Sequence, residues 1–137
     1  MKRVLLDTGP LVAYLDRRDR NHAWACEIFA SVEPPFHTCE SVISEASFLL
    51  RGLERGPDAV LEMVERGLID IGFSLADEIG PVRKLMKKYE AVPMSLADAC
   101  LVRMSELDSE SAVLTLDSDF HVYRRNRRNV IPLIASD

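Results

Sequence analysis

Five carboxylates stand at positions from which they can do chemistry together. Asp7 directly follows the apolar run Arg3-Val4-Leu5-Leu6, and Asp117 directly follows Ala112-Val113-Leu114-Thr115-Leu116, with Asp119 close behind. Glu45 falls one turn into the helix expected after a second strand, and Asp98 falls in the first turn of the helix preceding residues 112–116. Carboxylates crowded together repel one another and raise each other's pKa values unless a divalent cation neutralises them. No His cluster or Cys pair lies nearby, so the donors are oxygens and the set favours Mg²⁺ or Mn²⁺ over zinc. A hard cation on acidic residues, with water positions left open, suits metal-assisted attack on a phosphodiester.

Each acid taken alone also has a plainer role. Asp7 can accept hydrogen bonds from the turn at Thr8-Gly9. Ser95-Leu96-Ala97-Asp98 fits a capping box. Asp117-Ser118-Asp119 fits a turn that caps a short helix. Glu45 is the unusual one, because Val42, Ala46 and Leu49 at helical spacing put it at the apolar face, where a carboxylate needs compensation. That compensation is either an ion pair with Arg51 or Arg55, or a metal ion. Glu40 is a rival for the same role, ranked second because it precedes Ser41, the expected helix cap.

The elements that must position these acids alternate in type. Residues 3–7 form a buried strand, and Pro10 suits the first position of a helix continued by Leu11, Val12 and Leu15. A second helix covers 21–32 with Asn21 as cap, and Pro34-Pro35 ends it. Residues 36–38 form a short strand, a helix capped by Ser41 follows, and Gly56-Pro57 breaks the chain before a helix over 58–66. Residues 68–73 form a strand. Ser74 caps a helix to about Tyr89 that Gly80-Pro81 interrupts or kinks, and Ser95 opens another through Leu107. Strands over 112–116 and 129–134 complete the chain, with Pro132 pointing to an edge. The pattern predicts an α/β fold in one domain over 1–137: a parallel sheet between two helical layers, with sites beyond the carboxyl ends of the strands.

The 137 residues, 47% hydrophobic and 28% charged, fall in the ordinary globular range. No apolar run approaches the ~18 to 20 residues that span a bilayer, and Asp7 interrupts the first apolar stretch too early for a signal peptide. A soluble, cytoplasmic protein is expected. Cys26, Cys39 and Cys100 are scattered and odd in number, which argues against a disulfide framework or a zinc site and for small buried apolar residues. Seventeen basic against 22 acidic residues give a net charge of −5. Residues 120–130 nevertheless hold Arg124, Arg125, Arg127 and Arg128 and no acid, which makes these arginines candidates for phosphate contacts. His121 and Tyr123 could stack on a base, but core packing or a surface position fits them better. Trp24 and Phe29, at helical spacing, belong to a core or a dimer interface.

Four segments in order resemble the PIN-domain ribonucleases, in particular the toxin subunit of VapBC-type toxin–antitoxin pairs: Val4-Leu-Leu-Asp-Thr8, Ser44-Glu45-Ala46, Ser95-Leu-Ala-Asp-Ala99 and Thr115-Leu-Asp-Ser-Asp-Phe120. The resemblance runs over nearly the whole chain and implies a three-layer α/β/α sandwich. It assigns Asp7, Glu45, Asp98 and Asp117 to the catalytic set and Asp119 to an accessory metal ligand. Thr8 and Thr115 resemble hydroxyls that orient near the metal. It further implies Mg²⁺- or Mn²⁺-dependent cleavage of RNA, a homodimer, and a small VapB-like antitoxin that blocks the site.

Other classes fit less well. Asp7-Thr8-Gly9 matches the tripeptide of aspartic proteases, but those are all-β folds. A receiver domain needs a phosphoacceptor Asp after a middle strand and a later Lys, whereas Asp70 lies within a strand and no lysine follows Lys88. A catalytically silent PIN-fold RNA-binding or scaffold module ordinarily lacks acids, and here the set is complete.

Overall fold

Residues 2–136 are described by a computed structural model. The chain runs β1 (Arg3–Leu6), α1 (Thr8–Leu15), α2 (His22–Ser31), β2 (Phe36–His37), α3 (Glu40–Leu49), α4 (Gly56–Glu65), β3 (Ile69–Asp70), α5 (Ile79–Lys88), α6 (Leu96–Leu107) and β4 (Ser111–Thr115). A 3₁₀ turn (Ser118–His121), β5 (Arg124–Arg125), β6 (Asn129–Val130) and β7 (Leu133–Ala135) follow. The main sheet has the order β3-β2-β1-β4-β7, and every pairing in it is parallel.

Side-chain alternation along the strands divides the core in two. Val4, Leu6 and Leu114 face a layer built from α1 to α4, where Leu11, Ala46, Val60 and Met63 meet them. Leu5 and Val113 face the opposite layer, against Val82 of α5 and Leu101 and Val102 of α6. This is the expected α/β/α sandwich. From β1 the chain steps outward through β2 and β3, then returns across the other face to place β4 on the far side of β1. Strand order therefore reverses between β1 and β4, which opens a crevice at their carboxyl ends.

Several boundaries differ from expectation for local reasons. Asp7, rather than a residue nearer Pro10, caps α1, so the proline lies within the first turn, where its missing N–H costs nothing. Asn21 stands at the start of α2 without a side-chain capping bond. Cys39, not Ser41, precedes α3, so Glu40 is the first helical residue. Gly56-Pro57 opens α4 rather than breaking the chain before it. Only Ile69 and Asp70 of the 68–73 run pair in the sheet. The helix expected from Ser74 starts at Ile79, and Gly80-Pro81 sit in its first turn rather than at a kink. The 129–134 run is two strands: β6 pairs antiparallel with β5, and β7 lines the sheet edge after Pro132.

Trp24 packs against the first core, and Phe29 stacks between Tyr14 (centroids 4.1 Å apart) and Phe36 (4.5 Å). Cys39 and Cys100 are buried. Cys26 is only half-buried, its Sγ 3.4 Å from His22 Nε2. Among the described residues no helix is long and apolar enough to cross a membrane.

Candidate metal-binding active site

The crevice at the strand-order reversal is acidic. Asp7 leaves β1 in an extended conformation and caps α1, its Oδ1 accepting from Thr8 N at 2.8 Å. Its backbone N–H donates to Leu114 O at 3.0 Å, which locks it beside β4. The Thr115 hydroxyl donates to Asp7 Oδ2 at 2.6 Å and accepts from Asp117 N at 2.9 Å. One hydroxyl thus sets two acids from opposite ends of the chain. Asp117 in turn caps the 3₁₀ turn, with Oδ1 accepting from Asp119 N at 2.9 Å.

Asp98 enters from the first turn of α6. Its N–H donates to Ser95 Oγ at 3.0 Å, half of the expected capping box. The carboxylate instead accepts the Tyr123 hydroxyl, at 2.8 Å on Oδ2. Glu45 comes from α3 and is exposed rather than set in the apolar face. Neither Arg51 nor Arg55 pairs with it: Arg51 lies over the Phe48 ring and donates to Phe48 O, while Arg55 meets Asp58 and Glu62. All five acids line one cavity of about 430 Å³ together with Thr8, Gly9 and Leu49. Glu40 does not line it.

Electrostatics agree with this crowding. Burial pushes the Asp7 carboxyl up to about 6, against the Thr115 and Thr8 hydrogen bonds, and the charges of Asp98 and Asp117 add to the rise. Burial also raises Asp98, with Asp117 and Glu45 pushing the same way and Tyr123 and Ser95 opposing. Among the described residues none of the five acids is paired with a basic side chain. The Thr8 hydroxyl is buried at this cavity without a hydrogen-bond partner. Among the described residues no three acidic, His or Cys side chains stand close enough together to hold a metal ion as they are placed. The donors stand around an open cavity, where a hard cation would keep several waters. Unpaired carboxylates, a raised pKa and an orphaned hydroxyl all fit a divalent cation.

The candidates for RNA contact take different places in the fold. Tyr123 is fully buried and cannot stack on a base. Its rings with Tyr89 and Phe120 form edge contacts at 5.1 and 5.2 Å, and its hydroxyl holds Asp98. The available signal was that a buried phenol requires a partner for its O–H. His121 is exposed. The arginine run splits in two. Arg124 donates to the carbonyls of His121, Val122 and Tyr123, and Arg125 to those of Ser105 and Ser109 at the end of α6. These two are half-buried braces, whereas Arg127 and Arg128 are exposed.

Comparison with known proteins agrees with this geometry. Ribonuclease VapC26 of Mycobacterium tuberculosis (strain ATCC 25618 / H37Rv) is 27% identical over 117 residues, covering 83% of this chain and 86% of that protein. The crystal structure of Mycobacterium tuberculosis VapC20, a sarcin-ricin-loop-cleaving toxin, superposes with a TM-score of 0.78 at 21% identity, over 87% of this chain and 93% of that one. The PIN domain family model matches residues 4–126, a span that holds both helical layers and all five carboxylates. The chain belongs to the PIN domain family.

Proposed function

We propose that this protein is a metal-dependent endoribonuclease and the toxin of a type II toxin–antitoxin pair, working in the cytoplasm on RNA. The observation that carries the reading is five carboxylates, without basic partners among the described residues, around one cavity at the reversal of strand order. The ribonuclease and toxin names of its relatives support the same activity.

Asp7, Asp98 and Asp117 are assigned to hold Mg²⁺ or Mn²⁺, with Asp119 a further ligand, directly or through water. When bound, the ion neutralises the crowded carboxylates and stabilises charge developing on the phosphoryl and leaving oxygens. Glu45, which enters exposed from α3, either joins the metal ligands or orients the attacking water and takes its proton as the new P–O bond forms and the P–O bond to the leaving oxygen breaks, that oxygen taking a proton from solvent. Thr115 fixes Asp7 relative to Asp117, and Thr8 supplies a free hydroxyl at the same wall. Tyr123 fixes the Asp98 carboxylate from behind.

A small VapB-like antitoxin and a homodimer complete the reading. Phe48 and Leu49, 60% and 53% exposed beside Glu45 on α3, offer an apolar shelf next to the acids.

The test is cleavage of a mixed RNA pool by the purified protein with Mg²⁺ or Mn²⁺, with EDTA, and with Asp7→Asn. Metal-dependent fragments that vanish in the variant are expected. Cleavage that persists in EDTA, or a fully active Asp7→Asn, overturns the assignment.

A further inference from the structure

We propose that the cleft between α5 and the β5–β6 hairpin is an exosite for the phosphodiester backbone of RNA, separate from the acidic cavity. It rests on the reading of the chain as an RNA-cleaving enzyme and adds where the substrate is held away from the cut.

The cleft, about 250 Å³, has Pro81 and Leu85 as its floor and Lys84, Lys88, Arg124 and Arg127 around it. Glu106 also reaches it, but its carboxylate is taken up by Arg103 Nη1 at 3.2 Å and Asn126 N at 2.7 Å. Arg83, Lys84, Lys87 and Lys88 share one exposed face of α5 by their spacing. Only the fold brings Lys84 and Lys88 of that face beside Arg124 and Arg127, and Arg125 and Arg128 belong to the same hairpin segment. Among the described residues none of these eight cations forms a salt bridge, in a chain of net charge −5. The rest of the chain, nine basic against 22 acidic residues, carries −13, yet among the described residues no acid pairs with a cation of this face. Arg124 and Arg125 spend donors on backbone carbonyls but keep their charge, and with the exposed cations they leave on so acidic a body a cationic face suited to a polyanion.

Two further observations favour RNA. Lys88 Nζ donates to Arg127 O at 3.1 Å and Arg124 N to the Tyr89 hydroxyl at 3.0 Å, which fixes the hairpin on α5. Tyr89 packs on Tyr123, the residue that holds Asp98, so cleft and cavity are joined through two aromatic rings. Arg127 itself sits at φ 75°, a left-handed conformation that glycine adopts without penalty. An exposed cation stands where the backbone favours a glycine. The cationic rim of Lys84, Lys88, Arg124 and Arg127 matches the phosphates of a single strand tracking a positively charged groove.

The experiment is anisotropy of a labelled single-stranded RNA oligonucleotide in EDTA, across a salt series, for the unaltered protein, Lys84→Gln, Arg127→Gly and the double variant. Both single variants should bind several-fold more weakly. The slope of log K against log salt should fall by roughly 0.7 for each phosphate that a variant no longer neutralises on the single strand. Arg127→Gly should at the same time melt at a higher temperature than the unaltered protein, which separates weaker binding from impaired folding. Affinity and slope equal to the unaltered protein, in variants that still fold, overturn the exosite alone when the unaltered protein cleaves RNA with Mn²⁺. An unaltered protein that neither binds nor cuts RNA overturns the ribonuclease reading and the exosite with it. Polyglutamate held through Lys84 and Arg127 while RNA is not would overturn the exosite and assign the face to an acidic protein instead.

Discussion

The Tyr123 hydroxyl donates to Asp98 Oδ2 at 2.8 Å, linking a residue beyond the last buried strand to an acid on α6. This bond lowers the Asp98 carboxyl against a burial that raises it. Tyr123→Phe keeps the ring packing on Tyr89 and Phe120 and removes only the donor. The expected loss of stability is about 1 kcal/mol. Cleavage or Mn²⁺ affinity should fall about 10- to 100-fold, as for other partners that orient a metal ligand. The acidic limb of the pH–rate profile should move to higher pH, because Asp98 loses an interaction that favours its charged form. A purely structural tyrosine would leave that limb in place.

Asp7 gives the protein a pH dependence of defined sign. Its carboxyl rises from 3.8 to about 6 on folding, so between those values the folded state binds more protons than the unfolded one. The stabilisation from the protonated acid is full below 3.8 and is lost as pH rises through about 6. The loss is on the order of 2 to 3 kcal/mol. In EDTA, urea unfolding of Asp7→Asn should show a gain of that order over the unaltered protein at pH 7 and little difference at pH 4. Divalent metal should stabilise the unaltered protein and not the variant. Metal affinity should weaken as pH falls through the same range, since protons compete for the ligand.

Glu45 and Glu40 lie on one helix, and only Glu45 lines the acidic cavity. Glu45→Gln should reduce RNA cleavage to background, whereas Glu40→Gln should cleave at the unaltered rate. Both positions are exposed, so thermal melting of the two variants should differ from the unaltered protein by no more than about 0.5 kcal/mol. Equal activity losses in both would reverse the choice between them.

Gly56 is a packing requirement remote from the acids. A Cβ there would stand 2.2 Å from the Leu50 carbonyl oxygen, a backbone atom that cannot turn aside. Gly56→Ala should cost about 1 to 3 kcal/mol or more by forcing α4 away from the end of α3. Denaturant titration measures the loss, and cleavage per folded molecule should be unchanged.

Much of this was legible in the chain itself, because it depends on local periodicity and on what an acid does at a strand end. The apolar runs at residues 3–6 and 112–116 mark β1 and β4, and their ends mark Asp7 and Asp117. Parallel topology follows from strands alternating with helices, and it alone gathers those ends on one edge. Ser95 and Asp98 carry their capping signal within four residues. What depended on distant partners was not legible. Glu45 reads as buried from its neighbours on α3, yet the helix turns it toward open solvent at the cavity mouth. Tyr123 reads as core or as a base platform, because nothing near it in the chain names Asp98 as the acceptor its phenol needs. Arg124 and Arg125 read as free charges until the end of α6 and the 3₁₀ turn present carbonyls to them. Lys84 and Lys88 of α5 and Arg124 and Arg127 of the hairpin surround one cleft only after both segments pack together. Sequence alone named the candidate acids and the order of elements as far as β4, through short-range pattern. Tertiary packing decided which charges are satisfied and which are left for a ligand, because partners far apart in the chain meet only in the folded state.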